Sequence, residues 1–456
     1  MRSLIKSLLA FTLGAAPWFA MAATPQAPAA SAAPGTEQYE SVPMPPGFQV
    51  VVSELEGPVF ADASGRTLYQ WPVKTLRNGA VGERKRQPTC DHTKYRVNSG
   101  LMSPYPPGLE LPEVDTRPSC LDVWPAVIAG SDAKAIGKWS VIERKDGIRQ
   151  WAYDGNALYT SVLDEQPGDV YGGTFRRTGG DAPGERKPIG PPSMIPPQFT
   201  IVPSLAGRML VTSDARSVYA YAKDAPGKSN CLADCARQWT PVLAPAYAKD
   251  RGEFSIVQRE PGIRQWAFRN QPLYTRVADE KARTQSGSDV PDWSNVYTQR
   301  APAPPADFTT QDSVSGIVLA DKQGKTVYLY NCGDDALDQL ACDHPDSPQA
   351  YRFTVCGAGD PQRCLENFPY VLAAKGAKSN NRIWSVMQID PMTGKRAAPG
   401  QPGALSVWAF RKRPVYTMFR DSKPGDVQGD TWGEFYGLRN GYKAFWLRDD
   451  FGNGGE

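Results

Sequence analysis

The chain has almost no histidine: His92 and His344 are the only two among 456 residues. It also lacks Cys-x-x-Cys, Gly-x-Ser-x-Gly, His-Glu-x-x-His and any phosphate-cradling glycine loop. These absences remove the usual signatures of thioredoxin chemistry, α/β-hydrolases, zincins and nucleotide enzymes. Charge of either sign is scarcely in excess, with 51 basic and 48 acidic residues. A chain this neutral has no bulk electrostatic reason to bind nucleic acid or anionic lipid. No run beyond the N-terminus is long and apolar enough to cross a bilayer as a helix. The local Glu83-Arg84-Lys85-Arg86 cluster reads as a solvated loop.

What is present begins with an export signal. Arg2 and Lys6 flank the apolar stretch Leu8 to Phe19, and Ala20-Met21-Ala22 supplies small residues for cleavage. Residues 1–22 are therefore expected to be a signal peptide, with a flexible segment over 23–44 and a periplasmic or secreted mature protein. Cleavage removes two basic residues and lowers the formal charge from +3 to +1. Roughly 430 remaining residues imply about three domains. The 42 Gly and 42 Pro favour short strands and turns over long helices.

The chain repeats. Tyr159-Thr-Ser-Val-Leu-Asp164, Tyr274-Thr-Arg-Val-Ala-Asp279 and Tyr416-Thr-Met-Phe-Arg-Asp421 are one motif in three copies, each preceded by a Trp-Ala phrase at Trp151, Trp266 and Trp408. Modules are expected at 45–195, 196–303 and 304–456. Each opens on prolines and an aromatic (Phe48, Phe199, Phe308), followed by a hairpin pattern ending Tyr-x-aromatic: Tyr69/Trp71, Tyr219/Tyr221 and Tyr328/Tyr330. Residues two apart share a strand face, so these pairs are expected to face a core. The halves of each module also resemble each other. The fold expectation is all-β: three tandem modules of six half-units, with closure into a propeller-like ring left open.

Eight cysteines in an exported chain read as disulfides. Aligning the repeats favours Cys90–Cys120, Cys231–Cys235, Cys342–Cys364 and Cys332–Cys356. The competing arrangement joins Cys332 to Cys342 and Cys356 to Cys364.

These residues resemble a family of tandem secreted-repeat lipoproteins of unknown function, marked by Tyr-x4-Asp. That family's first-half form, Tyr-x-aromatic-x-x-Asp, is matched in full by Tyr219 to Asp224; Lys74 and Gly333 stand where the other modules would carry Asp. Cys231-Leu-Ala-Asp-Cys235-Ala-Arg-Gln-Trp239 also resembles its Cys-x3-Cys-Ala-x-x-Trp segment. No cysteine precedes Cys90, so the family's lipid anchor is not expected. The resemblance implies fold and compartment and brings no activity.

Tyr-x4-Asp is expected to be structural. An offset of five puts the two side chains on opposite strand faces, so the Tyr packs inward and the Asp opens a turn. The sharper alternative is a Ca²⁺ site joining each Asp to Asp169, Asp289 or Asp426 downstream. Trp293 and Trp432, in polar sequence near those acids, are candidate ligand contacts. Cys90-Asp-His92 and Cys342-Asp-His344 could serve a transition metal, but each offers an incomplete ligand set. No cofactor and no catalytic residue is assigned. The expected function is binding or scaffolding of an unknown protein or small molecule, with redox or metal accessory roles and an exported hydrolase as alternatives.

Overall fold

The computed structural model describes residues 35–76, 79–94, 118–172, 186–260, 262–332, 344–433 and 440–450. The expected signal peptide, most of the segment that follows it, and Cys342 lie outside these. Residues Ala32–Glu456 form one compact unit. The described part is rich in short antiparallel strands grouped in several small sheets, with few and short helices. Every paired sheet among the described residues stays within one repeat.

The second repeat shows the plan most fully. Its first half is a hairpin, Phe199–Ser204 with Gly207–Thr212, followed by a third strand at Tyr219–Tyr221. Its second half is the hairpin Phe254–Glu260 with Ile263–Phe268, followed by Tyr274–Arg276. The fourth strand of each half comes from the other half's chain path. After the first half and the cysteine segment, residues 241–244 complete the second half. After the second half and its Asp loop, residues 295–300 return to complete the first.

Three strands close on each other in every half. In the second repeat Leu210 N–H donates to Val296 O, Val296 to Val218 and Val218 to Leu210, at 2.9, 3.0 and 3.3 Å. Val242, Leu273 and Trp266 close the second half in the same way, at 2.8–2.9 Å. Phe60/Leu68/Ile189 and Val127/Leu158/Trp151 repeat the arrangement in the first repeat, as do Leu319/Val327/Phe445 in the third. In the second half of the third repeat, Trp408 donates to Val371 and Val371 to Val415. A short alternating strand feeds one side chain inward at each closure, and these residues from both halves form the core of their repeat. The inward role expected for Trp151, Trp266 and Trp408 follows from this: all three are buried.

Polar contacts join the repeats to one another. Glu54 accepts the amides of Arg382 and Ile383 at 2.9 and 3.1 Å. Gln299 donates to Ser53 O at 2.7 Å, and Asp450 accepts the Gln285 amide at 3.2 Å. Part of the N-terminal segment expected to be flexible is laid against the body instead. Glu37 is 2% exposed because Arg208, Ser193 and Thr298 all donate to it, which ties down a chain the sequence alone gives no reason to order.

Candidate functional site

The two third strands of each repeat run antiparallel and meet at a tyrosine pair: Tyr69 with Tyr159, Tyr219 with Tyr274, and Tyr328 with Tyr416. All six are buried. The hydrogen bond that Tyr-x4-Asp invites does form, but not within a motif. Tyr219 donates to Asp279 at 2.6 Å, and Tyr274 donates to Asp224 at 2.7 Å. Each tyrosine thus bonds the carboxylate that follows its partner tyrosine. The offset of five is consistent with this: the Asp sits past the end of its own strand, out of line with its own tyrosine and within reach of the opposing one.

The outer repeats keep one arm of this exchange. Tyr69 donates to Asp164 at 2.8 Å and Tyr328 to Asp421 at 2.6 Å. On the other arm Tyr159 donates to Glu83 at 2.8 Å, a residue delivered by the long segment before Cys90. In the third repeat Tyr416 packs against Tyr370 at 5.0 Å and beneath the buried guanidinium of Arg352, which donates to Tyr370 at 2.9 Å. The expected solvated loop does not hold for Glu83, which is 1% exposed because the Tyr159 hydroxyl and the Thr89 and Cys90 amides all donate to it. The sequence assigned no role to Arg352.

Each Asp also closes the loop that follows it. Asp164 accepts the Tyr171 amide at 2.8 Å and Asp421 the Gln428 amide at 3.0 Å. Burial pushes the Asp164 carboxyl up to about 7, although the Tyr171 amide and Tyr69 hydroxyl favour its ionised form. Burial also raises Asp279 and Asp421 above the ordinary carboxylate range. The paired tyrosines are raised as well, first by burial and then by the facing acids.

A glycine eight residues beyond each Asp completes the motif: Gly172, Gly287 and Gly429. A Cβ on Gly287 would lie 2.5 Å from the Tyr219 ring, and one on Gly429 would lie 2.9 Å from the Tyr328 ring. Gly429 N–H reaches the Tyr328 hydroxyl at 3.2 Å. Its constant spacing was the available signal, and the sequence reading passed over it.

The cysteine segment supplies the next layer. Trp124, Trp239 and Phe368 follow the second cysteine of each segment and meet the first tyrosine edge-on, at 5.2, 5.2 and 6.1 Å. The disulfides are Cys90–Cys120, Cys231–Cys235 and Cys356–Cys364. The favoured pairing of Cys342 with Cys364 is therefore corrected. Cys356 and Cys364 lie on consecutive short helices, Ala350–Gly357 and Pro361–Asn367, with Cα atoms 4.6 Å apart. Cys342 lies outside the described residues, so the expected pairings of Cys332 with Cys356 or Cys342 are decided only in that Cys356 is joined to Cys364.

Trp293 is not an exposed contact. It is 7% exposed because it stacks on Trp239 at 3.7 Å and on Tyr221 at 4.5 Å. Nor is Trp432 its counterpart. Tyr442 stacks on Phe368 at 3.7 Å in the same way, and the Arg186 guanidinium lies over Trp124 at 5.0 Å. These three each stand three residues before the closure residue of the returning strand: Ile189, Val296 and Phe445. Trp432 is half-buried and donates to Val355 O at 3.2 Å.

The downstream acids have separate occupations. Asp169 is buried, accepts the amides of Glu165 and Gln166, and faces Arg382 at 3.5 Å. Asp289 pairs with Arg448, and Asp426 accepts the amides of Ser422 and Lys423. Among the described residues no three His, Cys, Asp or Glu side chains converge to hold a metal. The sulfur of Cys90 is committed to its disulfide, which withdraws a thiolate from the Cys90/His92 pair. His344 is buried between the Asp346 amide and Arg396, and burial first, then the nearby cations, holds its imidazole well below its ordinary pKa.

Open surface recurs elsewhere. In the first repeat a groove of about 370 Å³ runs between residues 125–128 and the turn at Asp62 to Arg66. In the third, one of about 420 Å³ runs between residues 370–374 and the turn at Asp321 to Gln323. Ile128, Leu243 and Leu372 occupy one position of the three repeats and are 59%, 59% and 62% exposed.

The architecture is thus that of a tandem β-repeat protein whose signature residues hold the fold together. Residues 140–175 and 200–243 match the model of a family described as a secreted repeat of unknown function. No curated protein and no solved structure matches the chain. Among the described residues no helix is long and apolar enough to cross a membrane.

Proposed function

We propose that this chain is an exported, non-enzymatic β-repeat protein that binds a partner or acts as a scaffold in the periplasm. It reaches that compartment by a cleavable signal peptide over residues 1–22, and its working units are modules 45–195, 196–303 and 304–456. The observation that carries this reading is the recurring groove with its exposed apolar residue. Large apolar side chains left exposed at one position of every repeat mark a contact surface better than scattered ones do. The buried tyrosine, acid and cysteine clusters support the reading from the other side, since their polar atoms are occupied in joining half to half.

A photo-crosslinking residue placed at Ile128 or Leu372 in cells exporting the protein tests it. The expected result is a discrete adduct from both positions and none from Met392, which is exposed but does not line either groove. No adduct, or the same adduct from Met392, overturns the reading.

A further inference from the structure

We infer that the strand edge carrying Ile128, Leu243 and Leu372 takes an extended, uncharged apolar stretch of a partner polypeptide, held by backbone hydrogen bonds. This rests on the binding reading above and names the chemistry of the partner.

The hydrogen-bond pattern identifies the edge. Val127 donates to Leu158 O at 2.9 Å and accepts from Trp151 at 2.8 Å, and Ala129 donates to Arg149 O at 2.9 Å. Residues 127 and 129 therefore spend their backbone groups inward. The N–H and C=O of Ile128 point to the opposite edge, because successive residues of a strand alternate. Leu243 stands between Val242 and Ala244, and Leu372 between Val371 and Ala373, in the same pattern. Among the described residues no hydrogen bond reaches the backbone of Ile128, Leu243 or Leu372.

An open edge is a template for another strand, and proteins usually blunt it with charge. Here the same edge position carries Ile or Leu in three copies. Pro125, Pro241 and Pro369 lie just before it and keep the edge short, which sets a limited number of bonds per site. In the first and third repeats the edge residue lines a groove. The charges across that groove are already matched: Asp62 with Arg66 at 2.8 Å, and Asp307 with Lys322 at 2.6 Å. The remaining lining carboxylate, Asp321, accepts the Gln323 and Lys325 amides of its own turn at 2.9 Å, so the grooves offer no excess of cations or anions across which an ionic ligand is held. Unpaired N–H and C=O beside an apolar side chain call for another extended backbone with an apolar residue.

The chain uses this chemistry on itself. Residues 38–40 of the N-terminal segment pair with residues 192–194 through an isolated antiparallel bridge, Tyr39 opposite Ser193. Glu40 donates to Pro192 O at 2.8 Å and Met194 to Gln38 O at 2.9 Å. One extended segment is thus already held to another by backbone hydrogen bonds alone, while the three apolar edges have no such cover among the described residues.

The test uses the full exported chain and a capped six-residue peptide of alternating Thr and Val, with its fully N-methylated twin as control. Hydrogen–deuterium exchange is followed at the amides of Ile128, Leu243 and Leu372. The unmodified peptide is expected to slow their exchange at least fivefold, and the N-methylated twin to bind at least tenfold more weakly. Absence of binding, equal binding of both peptides, or binding that leaves these amides unprotected overturns the inference. If the crosslinked adducts at Ile128 and Leu372 persist when the peptide test fails, the binding reading survives and backbone recognition falls. If both fail, both readings fall.

Discussion

The second repeat and its two neighbours solve one problem with different residues. In the second, both buried tyrosines face an aspartate from the opposite half, so the exchange is symmetric. In the first, one aspartate is replaced by Glu83, which also accepts the Thr89 and Cys90 amides at 2.9 and 3.1 Å. In the third, the corresponding tyrosine is satisfied by a neighbouring tyrosine and a buried arginine. What is fixed is the need of a buried hydroxyl for a polar partner. The identity of that partner is free, and the segment that supplies it lengthens accordingly.

The layer above the tyrosines gives the sharpest way to break this comparison. Trp293→Ala removes a ring stacked between Trp239 and Tyr221 and is expected to cost about 3–5 kcal/mol in urea denaturation. Arg186→Ala at the matching place in the first repeat should cost less, since a cation over a ring contributes about 0.5–2 kcal/mol. Equal losses would mean that the two positions do not play one role. Gly287→Ala should follow at about 1–3 kcal/mol, because its new methyl meets the Tyr219 ring and backbone must shift.

Hydroxyl deletion separates the repeats next. Tyr219→Phe leaves the Asp279 carboxyl short of its donor in a buried setting, and should cost about 1–3 kcal/mol. Tyr159→Phe should cost about 1 kcal/mol or less, since Glu83 keeps two backbone donors. A larger loss from the second substitution would reverse the order of dependence.

Acidity gives the most diagnostic effect. Asp164 titrates near 7 in the fold against an ordinary 3.8. Its folded-state pKa is the higher one, so its contribution is fully present below about 4 and is lost as pH rises through about 7. Asp164→Asn, which cannot ionise, should flatten that part of the stability profile relative to the parent chain. An unchanged slope between pH 4 and 7 would place the carboxyl in a more polar setting than the burial indicates.

The sequence made the strands, the six half-units and the inward Trp and Tyr legible, because period-two patterning and repetition are local signals. The crosswise Tyr–Asp bond was not, since nothing local reveals which half completes which. Trp293 was misplaced for a related reason: the polar sequence after Asp289 suggests an exposed turn, while the structure aligns it with Tyr442 and Arg186 by strand position. Glu83 and Arg352 were hidden because they do by position what Asp224 does by motif.

The exchange of fourth strands has a consequence in time. The chain is made N-terminus first, yet Tyr69 in the first repeat pairs with Pro188, far along the chain. The opening half of each repeat cannot close until the last strand of that repeat is available. Its long-range pairing places it among the slower topologies to form, and its inward faces stay uncovered meanwhile. Each repeat therefore stays an unfinished sheet until its last strand completes it, which sets the repeat, and not the half, as the unit of folding.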